Sequence, residues 1–125
     1  MITRFRLPTL VTALLSVAIE APAHADFVTG NRLFQDCQAT DFFSQGACMG
    51  FVAGVADAMT TAQAANGTVA GWRACLSEQI TAGEVRDVAV NFLARHPEKR
   101  DIAAATLVAQ ALEEAFPCPT VTNQG

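Results

Sequence analysis

Apolar residues recur along most of the chain at spacings of three and four, and no segment alternates with a sustained period of two. Glycine and proline fall between these periodic segments, where breaks in helices are expected. From Thr29 onward the pattern predicts four helices. The expected fold class is therefore all-α, a small four-helix domain.

The second predicted helix is the longest and contains the stretch ACMGFVAGVADAM. Asp41 or Ser44 can start it, and Asn66-Gly67 is a good stop signal. Its length would suffice to cross a bilayer, but it contains Asp57 and lacks aromatic and basic anchors at its ends. We therefore expect a buried central helix, with an apolar face formed by Cys48, Phe51, Val52, Val55, Met59 and Ala62.

The first and third helices have clear start signals. Thr29 can cap the first helix, which is predicted to end near Cys37. Thr81 and Glu84 form a capping box at the start of the third helix. Pro97 disfavours helical geometry at the residue before it, so the third helix should stop there. Its apolar stripe comprises Val85, Val88, Ala89, Phe92 and Leu93.

The fourth helix is predicted between Asp101, as its cap, and Pro117, which cannot continue it. Residues 120–125 are predicted to form a flexible tail. The apolar face of this helix is expected to comprise Ile102, Ala105, Leu107, Val108, Ala111, Leu112 and Ala115.

The N-terminus has the pattern of a secretory signal peptide. Arg4 and Arg6 precede a short apolar run, and Ala23-His24-Ala25 is a small-residue cleavage site. Cleavage there leaves one domain, residues 26–125, with no expected membrane span. These 100 residues hold six Lys or Arg against eleven Asp or Glu, a net charge of −5. The absence of a basic stripe argues against nucleic acid as a partner.

All four cysteines follow the predicted cleavage site, which favours two disulfides in an exported domain. Their separations of 11, 27 and 43 residues lack the close pair of a structural zinc site, so no metal is expected. In a helical hairpin the end of the first helix meets the start of the second. The start of the third helix similarly meets the end of the fourth. We therefore predict the pairs Cys37–Cys48 and Cys75–Cys118.

Within the second helix, Gly50 and Gly54 share one face, which favours tight packing against a neighbouring helix of the same chain. A dimer interface is the alternative for this face. Asp57 is either a surface carboxylate or a buried acceptor for a donor such as Trp72 or Arg73.

An enzyme is not expected. After signal cleavage the chain keeps one histidine, His96, and has no tyrosine. With the thiols in disulfides, nothing assembles a nucleophile, a base and an oxyanion site. Glu113 and Glu114 are neighbours on a solvated helix face. No cofactor is predicted, and the pattern favours a small exported binding protein.

An ordered set of short motifs is more specific than any one of them. It consists of Gly30-x-x-Leu33-x-x-x-Cys37, CMGFVAGVAD from Cys48, Cys75, Thr81-Ala82-Gly83-Glu84, His96-Pro97-Glu98, and Ala111-Leu112 with Phe116-Pro117-Cys118. This set resembles the Rap/Tai family of periplasmic immunity proteins. Ser77 stands where many members have proline.

The resemblance implies a periplasmic protein that neutralises a peptidoglycan amidase toxin delivered by type VI secretion, often as a homodimer. The polar stretch between the last two helices is the expected toxin-binding loop, because a loop held between packed helices is preorganised to enter a groove. Its candidate residues are Arg95, His96, Glu98, Lys99 and Arg100.

Two other classes remain as alternatives. One is an acid-activated periplasmic chaperone, since protonation of the carboxylates would make the chain strongly positive and loosen its fold. Such chaperones are usually rich in lysine, and this sequence has one, Lys99. The other is a small envelope protein that binds or scaffolds a different partner.

Overall fold

In the computed structural model, which describes residues 27–120, the chain forms four α-helices and one short 3-10 helix. They are α1 (Gly30–Gln38), α2 (Phe42–Ala64), α3 (Ala82–Arg95), the 3-10 helix (Pro97–Lys99) and α4 (Ala104–Ala115). Extended backbone pairs in this part of the chain only at three isolated bridges. The predicted all-α, four-helix class is confirmed. The predicted signal peptide and the tail beyond Thr120 lie outside the described residues.

Three of the helices begin at the polar caps that the sequence indicates. Thr29 Oγ1 accepts a hydrogen bond from the backbone N–H of Arg32, and Asp41 Oδ1 accepts one from Ser44. Both hydrogen bonds of the capping box at the start of α3 are formed. Each cap satisfies a backbone donor that the first helical turn leaves free. Of the two starts considered for α2, Asp41 is therefore the correct one.

The predicted start of α4 was wrong. The helix begins at Ala104, and no side chain caps it. Instead the N–H of Ala104 donates to the carbonyl of Val28 at 2.8 Å. Asp101 accepts from Asn31 Nδ2 at 2.9 Å, which ties it to α1. Ile102, predicted on the apolar face, precedes the helix and is 48% exposed. A backbone contact from a distant segment thus replaces the expected side-chain cap.

All four helices contribute to one hydrophobic core, and none of the described residues buries a polar side chain there. Among helices of residues 27–120, none combines the length and the apolarity that a bilayer crossing needs. The largest fully buried side chains are Leu33, Val52, Met59, Phe92, Leu93, Leu107, Val108 and Leu112.

Two disulfides staple the helices in the predicted pairs. Cys37–Cys48 joins the end of α1 to α2, and Cys75–Cys118 joins the segments before α3 and after α4. The sequence separations are 11 and 43 residues. In the chain-entropy model these loops stabilise the fold by about 3 and about 4 kcal/mol.

Gly30 allows α1 to lie directly against the segment that precedes α4. A Cβ atom at this position would lie 2.5 Å from Leu107 Cδ1 and 2.9 Å from Arg100 Cα. The N–H of Gly30 donates to Ile102 O at 2.9 Å, and that of Asn31 donates to Arg100 O at 2.8 Å. The first turn of α1 therefore fixes the backbone of the loop between α3 and α4.

Candidate functional site

The predicted toxin-binding loop, Arg95–Arg100, is called the α3–α4 connection below. Its backbone is closed by local hydrogen bonds. His96 N–H donates to Phe92 O at 3.1 Å, and Lys99 N–H donates to His96 O at 3.0 Å. The carbonyl of Arg100 accepts from α1. The connection is thus held at both of its ends, which lowers the conformational entropy lost when it docks on a partner.

Three of the five candidate side chains lie against aromatic rings instead of projecting into solvent. The His96 ring packs on Phe92 with the ring centroids 4.4 Å apart. Lys99 Nζ lies 5.7 Å from the same ring, and Arg100 Cζ lies 4.2 Å from the centre of Phe34. These are cation–π contacts. The Nε of Arg100 is buried and has no hydrogen-bond partner within residues 27–120.

The remaining two candidates, Arg95 and Glu98, are exposed. The prediction that this stretch protrudes therefore holds only for them and for Pro97. Arg95 also borders a groove of about 300 Å³ between α3 and α4, with Glu114 on its other side. The surface that the connection offers to a partner is narrow and carries one positive and one negative side chain.

The exposed Glu98 carboxylate has the ring of His96 as its side-chain partner. Its own backbone N–H and the ring of His96 hold the pKa of its carboxyl below the ordinary glutamate value. The His96 Nδ1 atom lies 3.1 Å from Glu98 Oε1. Glu98 is therefore ionised at neutral pH and places a negative charge on the exposed side of the connection.

The second candidate surface lies on α2. Gly46, Gly50 and Gly54 follow one another at spacings of four, so they share one side of the helix. Phe43 lies one turn before them, and we call these four residues the glycine face. All four are exposed, and a Cβ atom at any of the three glycines would meet nothing within 4 Å among the described residues. The expectation that Gly50 and Gly54 pack tightly inside the chain was wrong.

Two phenylalanines at the start of α2 were missed by sequence reasoning. Phe42 is 96% exposed and Phe43 is 80% exposed, which is unusual for such large apolar side chains. The signal was present in the sequence, because α2 is apolar on all sides while only one side can face the core of a small domain. Together with the glycines they form an apolar surface without a partner in residues 27–120.

Asp57 is a surface carboxylate, which decides between the two alternatives left open by the sequence. It lies one turn beyond Gly54 and is the only charged residue of α2. Arg73 does not reach it, because its guanidinium donates to Asn66 O at 2.6 Å and its backbone N–H donates to Glu113 at 2.7 Å. Asp57 thus forms no ion pair within residues 27–120.

The described residues contain no group of three or more His, Cys, Asp or Glu side chains that could hold a metal ion. All four cysteines are in disulfides. The hydrogen bond of the His96 ring goes to a carboxylate, and no hydroxyl or thiol in residues 27–120 bonds to that ring. What the two surfaces present to a partner is a rigid polar turn and an uncharged helix side.

Comparison with curated proteins finds no match. Comparison with protein families finds one, and it agrees with the architecture described above. A family model described as Rap1a immunity proteins matches residues 29–118, which include all four helices and both disulfides. That match begins at the cap of α1 and ends at the last cysteine, and it covers most of the 125-residue chain. The chain belongs to the Rap1a immunity protein family.

Proposed function

We propose that this chain is a periplasmic immunity protein that binds and inhibits a peptidoglycan amidase effector of type VI secretion. The observation that carries the proposal is the family match over residues 29–118. Two disulfides support an oxidising compartment, in accord with the predicted signal peptide. In this proposal the protein acts by binding its effector, as its family membership implies.

The α3–α4 connection is the proposed inhibitory element. It enters the active-site groove of the amidase and excludes substrate. The backbone bonds and ring contacts described above hold it in one conformation before binding. Arg95 and Glu98 are the exposed charges that would set its specificity, because charge pairs at an interface rim discriminate between partners.

The glycine face is the proposed homodimer interface. Bare helix backbone at three positions lets a second helix approach closely, and Phe43 would be covered by the partner copy. Replacing Gly54 with Leu should then give folded monomers, because the side chain fills the space of the approaching helix. Gly54→Ala is the matched control for helix propensity. Sedimentation velocity checks both variants, and a Gly54→Leu protein that remains dimeric would contradict this interface.

The first experiment is a pull-down of periplasmic and culture-supernatant proteins with the oxidised protein, read by mass spectrometry. We expect a stoichiometric peptidoglycan amidase whose activity falls when the protein is added. A spread of unrelated proteins captured only at low pH would instead support the chaperone alternative. Failure to capture or inhibit any amidase would refute the proposal.

The inhibitory element is tested with a pair of double variants. Arg95→Ala/Glu98→Ala removes one positive and one negative exposed charge from the connection, and we expect weaker amidase inhibition. Arg86→Ala/Asp87→Ala removes the same charges from an exposed ion pair on α3 and should leave inhibition unchanged. Lys99 and Arg100 are kept, because their loss would also remove ring contacts that hold the fold. Equal inhibition by both variants would rule out the connection.

A further inference from the structure

A cleft of about 270 Å³ lies between α2 and the segment that leads into α3. It is separate from the α3–α4 connection. Its volume is below the range of about 300–1,000 Å³ that is usual for small-molecule sites. A single side chain of a partner is therefore a better match in size than a cofactor.

The lining of this cleft combines apolar walls with carboxylates. Leu76, Ile80 and Val85 contribute apolar surface, whereas Asp57 and Glu78 add the only ionisable groups. Both carboxylates are exposed, and neither forms an ion pair within residues 27–120. No lysine, arginine or histidine lines the cleft. It is thus negative at its edge, and its walls combine apolar side chains with the hydroxyls of Thr60, Ser77 and Thr81.

The start of α3 does not reverse this charge. Thr81 lines the cleft, and a helix N-terminus carries a partial positive charge. Here, however, the carboxylate of Glu84 occupies that end, because Glu84 Oε2 accepts from the backbone N–H of Thr81 at 2.7 Å. The pKa of Glu84 lies below its ordinary value for the same reason, so this carboxyl is ionised at neutral pH. An anionic ligand would face three carboxylates around the cleft.

We infer that the cleft binds an arginine or lysine side chain that the effector presents, as a second contact point besides the α3–α4 connection. This inference rests on the proposed function, since the effector supplies the side chain. The aliphatic stem of arginine or lysine packs along Leu76, Ile80 and Val85, while its charged head stays at the wet edge beside Asp57 and Glu78. The charge complementarity selects a basic side chain over an apolar one.

A small probe tests the cleft without any effector. The oxidised protein, isotope-labelled, is titrated with N-acetyl-arginine amide and followed by NMR. Backbone amides of Asp57 and Ile80 should shift along a saturating curve. N-acetyl-citrulline amide has the same shape but no charge, and it should bind about two- to fivefold more weakly for each carboxylate it fails to pair with. Equal binding of both probes, or no shift with either, would overturn the inference.

Variants separate this inference from the proposed function. Asp57→Asn/Glu78→Gln should abolish the preference for the arginine probe and weaken effector binding about four- to 25-fold. Asp87→Asn removes an exposed carboxylate outside the cleft and outside the α3–α4 connection, and it should change neither. If the effector binds the double variant as tightly as the unaltered protein, the cleft is not a contact point and the proposed function stands. If no amidase binds the unaltered protein, the proposed function fails. The cleft is judged separately by the arginine probe, and absence of binding by that probe would reject the cleft.

Discussion

The α3–α4 connection and the glycine face of α2 are both exposed, but they are built in opposite ways. The connection is polar, and its His96, Lys99 and Arg100 side chains pack on Phe34 and Phe92, so the core holds it. The glycine face is uncharged, and no other described residue lies within 4 Å of a Cβ atom built at any of its three glycines. A polar surface here is rigid because the core supports it. An apolar surface remains because a domain of this size can bury only one side of its longest helix.

The largest expected effect contrasts two phenylalanines. Phe92 is 1% exposed and carries His96 and Lys99 on its ring, whereas Phe43 is 80% exposed. Phe92→Ala should lower the free energy of unfolding by about 3–5 kcal/mol, because it leaves a cavity under the connection. Phe43→Ala should stay within about 0.5 kcal/mol. Urea unfolding measures both, at a protein concentration that keeps the chain monomeric. Comparable losses would mean that Phe43 packs inside the fold.

The two disulfides are expected to contribute different amounts to the free energy of unfolding. Cys75→Ala/Cys118→Ala should cost about 4 kcal/mol and Cys37→Ala/Cys48→Ala about 3 kcal/mol, because the longer loop restricts the unfolded chain more. The Cys37–Cys48 disulfide links α1 to the N-terminal half of α2, which also carries Phe42 and Phe43. Urea unfolding of the two double variants gives the order. The reverse order would show that the link at α2 has a larger role than its loop length indicates.

Docking of α1 on the connection depends on Gly30. Gly30→Ala should destabilise the protein by about 1–3 kcal/mol, because the added methyl meets the backbone at Arg100 as well as Leu107. Gly50→Ala is the matched control in open space and should stabilise α2 by about 0.5–1 kcal/mol. Thermal unfolding, measured at a protein concentration that keeps the chain monomeric, should move in opposite directions for the two variants. A shift of the same sign would contradict the close approach at Gly30.

The sequence predicts best what is decided locally. Thr29, Asp41 and the Thr81–Glu84 box each act within one turn, and their helices begin where expected. The disulfide pairing was also predicted correctly from the sequence, since a hairpin of neighbouring helices brings the cysteines of each pair together. The start of α4 did not follow, because its first N–H bonds to Val28, far away in sequence. Here a tertiary contact replaced the local signal of Asp101.

The site was less predictable than the fold for a related reason. Polarity correctly marked the α3–α4 connection as surface, but only the packed structure shows that Lys99 and Arg100 lie on aromatic rings. The spacing of Gly50 and Gly54 is the same whether another helix of the chain covers them or solvent does. The two cases differ in whether another helix of the domain packs on this side of α2. That depends on how all four helices are arranged in the fold.

The smallest expected effect concerns two exposed carboxyls, Glu98 in the connection and Asp41 at the cap of α2, the helix that carries the glycine face. The pKa of each lies below its ordinary value: for Asp41 mainly through the N–H of Ser44, and for Glu98 mainly through its own N–H. The folded state therefore binds a proton less readily than the unfolded chain. Each carboxyl adds stability above its unfolded pKa, and this stability is lost as pH falls through the folded value.

Urea midpoints from about pH 7 to about pH 3 should consequently decrease, with the decrease beginning near the ordinary carboxyl range of about 4. Asp41→Asn keeps a capping oxygen but cannot titrate, so it should reduce the slope while α2 remains capped. Glu98→Gln should reduce it separately and by a similar small amount. If both variants kept the full slope, the acid sensitivity would come from neither of these two carboxyls.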